Sequence, residues 1–516
     1  MSHSLLEMSD RQVKDPIFSE HFGNSSEMEE SYLSKIWFTE SKPSYITASF
    51  NMFKLAVFSI FGLMMRRGLE IVNLLFIGSL GDSTFISGYG IAFTTIGITT
   101  ISLGVGMAGG VETLSSQAFG HKKNYLANCY YTRAQVILTL LFIPQAIVMY
   151  FITPILIALG QPEKSSEHAG TYISITLPGV WCYAQTELLR RYLRTQGAFH
   201  IMANTQMVNL LLHPLWLYFF IYVCDLSFKG VACATLVTYA MNFALPTVYI
   251  TLRKSAVKED SWHFISKDSF KGIMEYLRYG IPSMIMVCLE YWAFEFIMIM
   301  SGLVGEYELA ACSILFNMGS LINSIAIGFG LASNTFIGNN LGANIPETAK
   351  MYLNISFLFS LIFPFIIGIP MYIFRYKVGY IFTDDENVVS LVGYAFPVMI
   401  LLNFGDYIQG ILQGAIKGMG YQSKVAYICL ICYVCVSLPL SYYFTFELNY
   451  NLRGLWGGVT VASTIIGIWY IYLVYSADLE YLAKEISEKI QKKHEDMKHE
   501  RISDDKLGES LDSNLD

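Results

Sequence analysis

Apolar residues run along this chain in stretches long enough to cross roughly 30 Å of hydrocarbon, broken by short polar connections. To within a few residues the runs occupy 50–78, 85–110, 127–151, 169–189, 203–223, 231–252, 279–302, 309–336, 351–373, 388–411, 425–446 and 455–476. The pattern predicts an all-α membrane protein with twelve transmembrane helices.

The connections alternate in basic content. Those at 121–123, 190–194, 253–278, 350 and 417–424 carry fourteen Lys and Arg, and those on the other side carry five. Basic loops favour the cytosolic side, so both termini and the long 253–278 connection are expected in the cytosol. The opposite loops are short and acidic, with Asp82, Glu163, Asp225, Glu306 and the run Asp384, Asp385, Glu386. The 253–278 connection reads either as an interfacial amphipathic helix with Trp262 and Phe264 on its apolar side or as a plain flexible linker.

The spans form two matching sets of six. Gly78-Ser-Leu-Gly81 is echoed by Gly302-Leu-Val-Gly305 and Lys229-Gly230 by Arg453-Gly454, both at a shift of 224, while Leu189, Arg194 and Gly197 are echoed by Leu412, Lys417 and Gly420 at 223. Pro178 and Pro397 differ by 219, so a turn of helix has been gained or lost there. Six is even, so the halves enter the membrane in the same direction, as parallel repeats around a central cavity. The expected domains are an acidic, disordered N-tail at 1–42, an N-lobe at 43–252, a linker at 253–278, a C-lobe at 279–477 and a charged cytosolic C-tail at 478–516.

Three acids interrupt the spans: Glu290 and Glu295 in IPSMIMVCLEYWAFEFIMIMSGLVG and Asp406 in FPVMILLNFGDYIQGIL. A carboxylate at the bilayer centre costs about 2.5–3.5 kcal/mol on the insertion scale, so such residues normally face a cavity and bind an ion, a proton or a substrate. Transport is therefore the first function class. Glu290 and Glu295 are five residues apart, about 140° around an ideal helix, so one lines a cavity and the other meets a neighbouring helix.

Composition agrees: hydrophobic residues make up 53% of the chain, charged residues 15%, and mean hydropathy is +0.44, against about 25% charge in a soluble protein. The net charge of −7 belongs to the tails. Residues 1–42 hold eight acids and four basic residues, and 478–516 hold twelve and seven, leaving the body at +2. Nothing in that body suits nucleic acid. The first 40 residues lack an apolar signal-peptide core, and the sequon at Asn24 would lie unused in the cytosol. The nine cysteines lie scattered in apolar segments. Even Cys429, Cys432 and Cys435, three residues apart, have no His or acid in reach, so they read as small buried hydrophobes. No metal or other cofactor is called for.

Five motifs, in order, resemble those of the eukaryotic branch of the MATE family, the multidrug and toxic compound extrusion transporters. They are ETLSSQAFG (Glu112 to Gly120), LRRYLRTQG (Leu189 to Gly197), MVCLEYWAFEF (Met286 to Phe296), LQGAIKGMGYQ (Leu412 to Gln422) and GLWGG (Gly454 to Gly458), and the match runs from about residue 45 to 477. The resemblance implies two pseudo-symmetric six-helix lobes forming a V-shaped cavity. It also implies export of organic compounds, usually cations, in exchange for protons or sodium, with protons general among eukaryotic members. Two of the family's acidic positions are similar to Glu290 and Asp406, and a second span 7 acid to Glu295. Many prokaryotic relatives carry an Asp in span 1, where this chain has Asn73, which does not titrate.

Competition between a cationic substrate and a proton for the Glu290 and Asp406 carboxylates is then the simplest antiport mechanism, each ligand acting through its different affinity for the two facing states. Tyr291, Trp292 and Tyr407 beside these acids could hold a flat cation over their rings, or pack as ordinary aromatics. Arg66 and Arg67 lie within span 1, followed by Glu70: they form an internal salt bridge or snorkel along a bent helix, or an arginine faces the cavity and suits an anionic or zwitterionic substrate. Glu187 lies nine residues after Pro178, as Asp406 lies nine after Pro397, and so hints at an acid in the first lobe. His213 reads as a packed histidine or a proton relay. Arg190, Arg191, Arg194 and Lys417, at helix C-termini, read as topology markers rather than binding groups.

The expected protein is a monomer in the plasma membrane or a vacuolar or vesicular membrane, whose partners are the lipid bilayer, a small organic substrate and a proton, with sodium the lesser candidate. Rival functions are an organic-anion or conjugate exporter, a lipid-carrying flippase of the same superfamily, a major facilitator and a multi-span membrane transferase. Gly120-His-Lys-Lys123 only weakly echoes a major-facilitator loop, and the external loops are too short for a transferase.

Overall fold

All regular elements among the described residues, 43–512 of the computed structural model, are helical. The expected N-tail with its sequon, and residues 513–516, lie outside the described residues. The chain divides into an N-terminal unit, Met1–Asn51, helical from Tyr45, and a main unit, Met52–Asp516, to which the site belongs.

Twelve long helices follow one another: α1 (Tyr45–Ser79), α2 (Ser83–Gly120), α3 (Asn124–Tyr150), α4 (Glu163–Thr195), α5 (Phe199–Val223) and α6 (Ser227–Leu252) in the first half, then α7 (Ile273–Val304), α8 (Glu306–Gly342), α9 (Pro346–Ile381), α10 (Glu386–Met419), α11 (Gln422–Glu447) and α12 (Leu452–Ser476) in the second. Each contains one of the expected apolar runs. Eleven are long and apolar enough to cross a membrane by length and composition. The exception, α4, is long enough at 33 residues but carries Glu163, Lys164, Glu167, Glu187, Arg190, Arg191 and Arg194. Several helices outrun their apolar segment because their polar ends are buried in protein. All twelve residues of Gly109–Gly120, which include ETLSSQAFG, are buried.

The repeat is written into the backbone. The last turns of α5 (Phe219–Val223) and of α11 (Tyr443–Glu447) are both π-helical, offset by 224 residues. Positive φ angles recur at Asp225 (53°) and Asn449 (55°), and at Ser227 (47°) and Asn451 (49°), at the same offset. Gly230 and Gly454 then begin the following helices with no room for a side chain: a Cβ on Gly230 would lie 2.8 Å from the Phe220 carbonyl carbon, and one on Gly454 2.6 Å from that of Phe444. Each half also has its own apolar core, around Val180, Leu217 and Val231 in the first and around Leu315, Phe396 and Trp456 in the second.

Two connecting segments differ from expectation. Residues 253–272 form no amphipathic helix but two short 3-10 turns, Lys254–Ala256 and Lys267–Phe270, tied to the first half. Trp262 is buried, donates to Thr251 Oγ1 (3.1 Å) and stacks on Tyr131, while Asn128 donates to the His263 carbonyl (3.1 Å). Phe264 is exposed. Residues read as a charged tail form a thirteenth long helix among the described residues, α13 (Leu479–Asp512), which buries Leu479, Leu482, Ala483, Ile486 and Ile490 along one stripe, the i, i+3, i+4, i+7 spacing of an amphipathic helix.

The halves meet most closely at the end that carries the basic loops. There a Cβ on Gly120 would sit 2.0 Å from the Asn339 carbonyl oxygen, and one on Gly342 2.0 Å from that of Gln117. Gln117 Nε2 donates to the Gly418 carbonyl (3.0 Å) and Thr113 Oγ1 to that of Lys417 (2.8 Å). Glycines let backbones approach to this degree where no side chain intervenes.

Candidate functional site: a charged cavity between the halves

A cavity of about 240 Å³ lies between the two halves. The first half contributes Arg66 and Arg67 from α1, Glu112 from α2 and Arg191 from α4; the second contributes Glu290 and Tyr291 from α7, and Asp406 and Lys417 from α10.

Glu290 and Asp406 share the wall and are joined by neutral polar groups. Ser463 of α12 donates to Asp406 Oδ1 (2.6 Å) and also approaches Gln409 Oε1 (3.4 Å). Gln409, one turn beyond Asp406, directs Nε2 at Glu290 Oε2 (3.5 Å) and at the Tyr433 hydroxyl (2.8 Å). The result is a continuous path from Asp406 through Ser463 and Gln409 to Glu290. Neither carboxylate has a Lys or Arg within ion-pair distance among the described residues.

The other expected site residues divide. Tyr291 lines the cavity, but Glu295, half-buried, does not; the 140° between the two span 7 acids puts them on different sides of α7. Trp292 and Tyr407 also lie off the wall. Trp292, two residues past Glu290, donates to the Ile98 carbonyl of α2 (3.4 Å). Tyr407 is buried and donates to the Ile322 carbonyl (3.2 Å), because one residue past Asp406 is about 100° further round the helix.

The span 1 arginines satisfy both alternatives, a salt bridge and a place on the cavity wall. Arg67 pairs with Glu70 (2.8 Å) and donates to Ser320 of α8 (2.6 Å), while Arg66 donates to the Tyr183 hydroxyl (2.6 Å). Both face the cavity. Glu70 faces a smaller adjoining cavity of about 50 Å³, together with Asn73 and His213. His213 is buried, with Nε2 at 2.9 Å from Asn73 Oδ1 and Nδ1 at 2.8 Å from Thr238 Oγ1. Asn73 Oδ1 only accepts, so Nε2 carries a proton.

Glu187 is not in the cavity. It pairs with Arg190 one turn along α4 (3.4 Å) and is buried, as i,i+3 spacing allows. The four cations read as topology markers are corrected as well: Arg190, Arg191, Arg194 and Lys417 are all buried. Three of them surround Glu112, with Arg191 at 2.8 Å, Arg194 at 3.4 Å and Lys417, from the opposite half, at 3.6 Å. Glu112, Gln409, Ser463 and Tyr433 were not singled out from sequence. A signal existed for Gln409, at i+3 from an intramembrane acid and so on its face.

The sequence profile of the MatE family matches this chain twice, at residues 59–219 and 282–443, offset by 223 residues at their starts and 224 at their ends. Protein DETOXIFICATION 16 of Arabidopsis thaliana is 30% identical over 404 residues, covering 78% of this chain and 82% of that protein. Multidrug and toxin extrusion protein 1 of Xenopus tropicalis is 29% identical over 417 residues, covering 81% and 72%. The crystal structure of the eukaryotic MATE transporter AtDTX14 superposes with a TM-score of 0.82 at 26% identity, over 86% of this chain and 99% of that one. Matched across both halves, and with relatives named for detoxification and extrusion, the chain belongs to the MATE family of membrane transporters.

Proposed function

We propose that this protein is a secondary active antiporter that exports organic cations or zwitterions in exchange for protons, by alternating access. The observation that carries the reading is the pairing of Glu290 and Asp406 on one cavity wall, linked through Gln409 and Ser463 and without a Lys or Arg within ion-pair distance among the described residues. Burial disfavours the charged form of any carboxyl, so a proton or a substrate cation neutralises such a pair, and the two ligands exclude each other. Carboxyls linked in this way titrate together rather than singly. Relatives named for detoxification and for multidrug and toxin extrusion fit an organic cargo.

In this reading the basic loops face the cytosol and the closed end of the cavity is the cytosolic one. Neutralisation at Glu290 and Asp406 from outside releases substrate and admits the return step; loss of the proton to the cytosol readies the site for the next substrate. Glu295 and Trp292, off the cavity wall, act on this cycle through the packing of α7 rather than by binding. The protein works as a monomer in the plasma membrane or a vacuolar or vesicular membrane. The test is flux in proteoliposomes holding the purified full chain: an imposed pH gradient drives tetraethylammonium accumulation, whereas a sodium gradient alone does not. Accumulation driven by sodium and indifferent to pH contradicts the proton assignment.

A further inference from the structure

At the closed end of the cavity, four cationic residues gather around two carboxylates. Among the described residues, the carboxylates within ion-pair distance of Arg190, Arg191, Arg194 and Lys417 are Glu112 and Glu187, and all six are more than nine-tenths buried; Lys417 also feels the charge of Glu290, further along the cavity. Within this cluster cations outnumber carboxylates by two, and the excess straddles the halves, since Lys417 alone comes from the second. Buried charge is tolerated when it is paired and hydrogen bonded. Here hydrogen bonding is incomplete: Arg191 Nη1 lies 2.8 Å from Glu112 Oε2 without hydrogen-bond geometry, and Arg190 Nε and Nη1 have no hydrogen-bond partner among the described residues. Arg191 and Lys417 line the cavity.

We propose that Arg191 and Lys417 form an oxyanion subsite at the cavity floor, which takes the carboxylate, sulfate or phosphate group of a zwitterionic substrate whose amine lies at Glu290 and Asp406. The inference rests on the transporter reading, and it narrows the cargo. An oxyanion there adds a second anionic bridge beside Glu112 between Arg191 of the first half and Lys417 of the second, so its arrival draws the halves together at this end. An amine alone adds no such bridge and leaves Glu112 as the shared carboxylate of the two cations.

The geometry also sets a length. Asp406 and Lys417 are eleven residues apart on α10, about three turns, and so on one face with a rise of roughly 16 Å. Helical side chains lean toward the N-terminus, which brings the Lys417 ammonium back toward Asp406. A matching substrate holds its opposite charges some 6–10 Å apart, further than an α-amino acid does.

Binding of 8-aminooctanoate, its isomer 2-aminooctanoate and octylamine to the purified full chain tests this by titration calorimetry. The expected result is that 8-aminooctanoate binds at least about tenfold more tightly than either of the others. The advantage should fall to the level of octylamine in Lys417→Gln and in Arg191→Gln, and persist in Lys417→Arg. Sodium sulfate at constant ionic strength should weaken 8-aminooctanoate and leave octylamine unchanged; this arm needs only the wild-type chain and decides the matter if the variants do not fold. Equal affinities, no binding of 8-aminooctanoate, a preference that survives both neutral variants, or indifference to sulfate overturns the subsite. A binding preference without proton-driven flux in proteoliposomes would instead defeat the antiport reading and leave the subsite standing.

Discussion

Lys417 Nζ lies 3.6 Å from Glu112 Oε2, joining α10 of one half to α2 of the other at the closed end of the cavity. Arg191 and Arg194 hold the same carboxylate from α4, so Glu112 lies within ion-pair distance of three buried cations. Removing one partner of a buried ionic group costs about 3–5 kcal/mol, because the remaining charge has no compensation. Glu112→Gln should therefore lower the thermal midpoint of the purified protein by several degrees, more than Glu295→Gln does. Equal midpoints for wild type and Glu112→Gln would remove Glu112 from the clasp.

Gly342 meets the Gln117 carbonyl so closely that an added Cβ would sit 2.0 Å from the oxygen. Backbone on both sides leaves nothing flexible to yield. Gly342→Ala should cost about 1–3 kcal/mol by overpacking and should pry the halves apart at this end. Cysteines placed at Ser116 or Asn339, both buried at the interface, should then react faster with a soluble maleimide. Unchanged labelling rates would show that the close approach does not hold the cavity shut.

Arg67 and Glu70 are each about a quarter exposed, so their direct pairing is worth only about 0.2–1 kcal/mol. Arg67→Gln and Glu70→Gln should each destabilise slightly, and the double variant should cost less than the sum of the two. Arg66, hydrogen bonded to Tyr183 and facing the cavity, should behave otherwise: Arg66→Gln should shift transport selectivity toward substrates with more positive charge. Chemical denaturation of the four variants, with competition uptake for Arg66→Gln, checks both statements. Additive costs for Arg67 and Glu70, or unaltered selectivity at Arg66, would overturn the assignment concerned.

Orientation has its own check. Fourteen basic residues in one set of connections against five in the other predict cytosolic termini. A tag at either end should resist protease added outside intact cells and be cut after permeabilisation. Cleavage from outside would invert the proposed direction of transport.

Twelve helices and a repeat at 223–224 residues were legible because lipid imposes long apolar runs and glycine turns mark where each half repeats. Glu290 and Asp406 were legible because a carboxylate inside an apolar run is costly. Their connectors were not. Gln409, Ser463 and Tyr433 carry no charge, and which hydroxyl or amide meets which acid depends on how α10, α11 and α12 pack. Glu112 was overlooked since an acid at a span end is unremarkable until Lys417, from the other half, closes on it. For α13 the charge of the segment concealed the stripe from Leu479 to Ile490, although its helical spacing stands in the sequence. Apolarity alone left Trp262 either at a lipid interface or in a flexible linker; its indole donates to Thr251 and stacks on Tyr131, contacts that depend on the fold of the first half.

Proton-driven flux through the Glu290 and Asp406 pair is the central claim, and the Glu290→Gln, Asp406→Asn double variant measures it most directly. Reconstituted in proteoliposomes, it should keep the wild-type helical content and thermal profile and bind substrate weakly. It should show no uptake in response to a pH gradient that drives the wild-type protein. Gradient-driven uptake by the double variant at the wild-type rate would contradict the account.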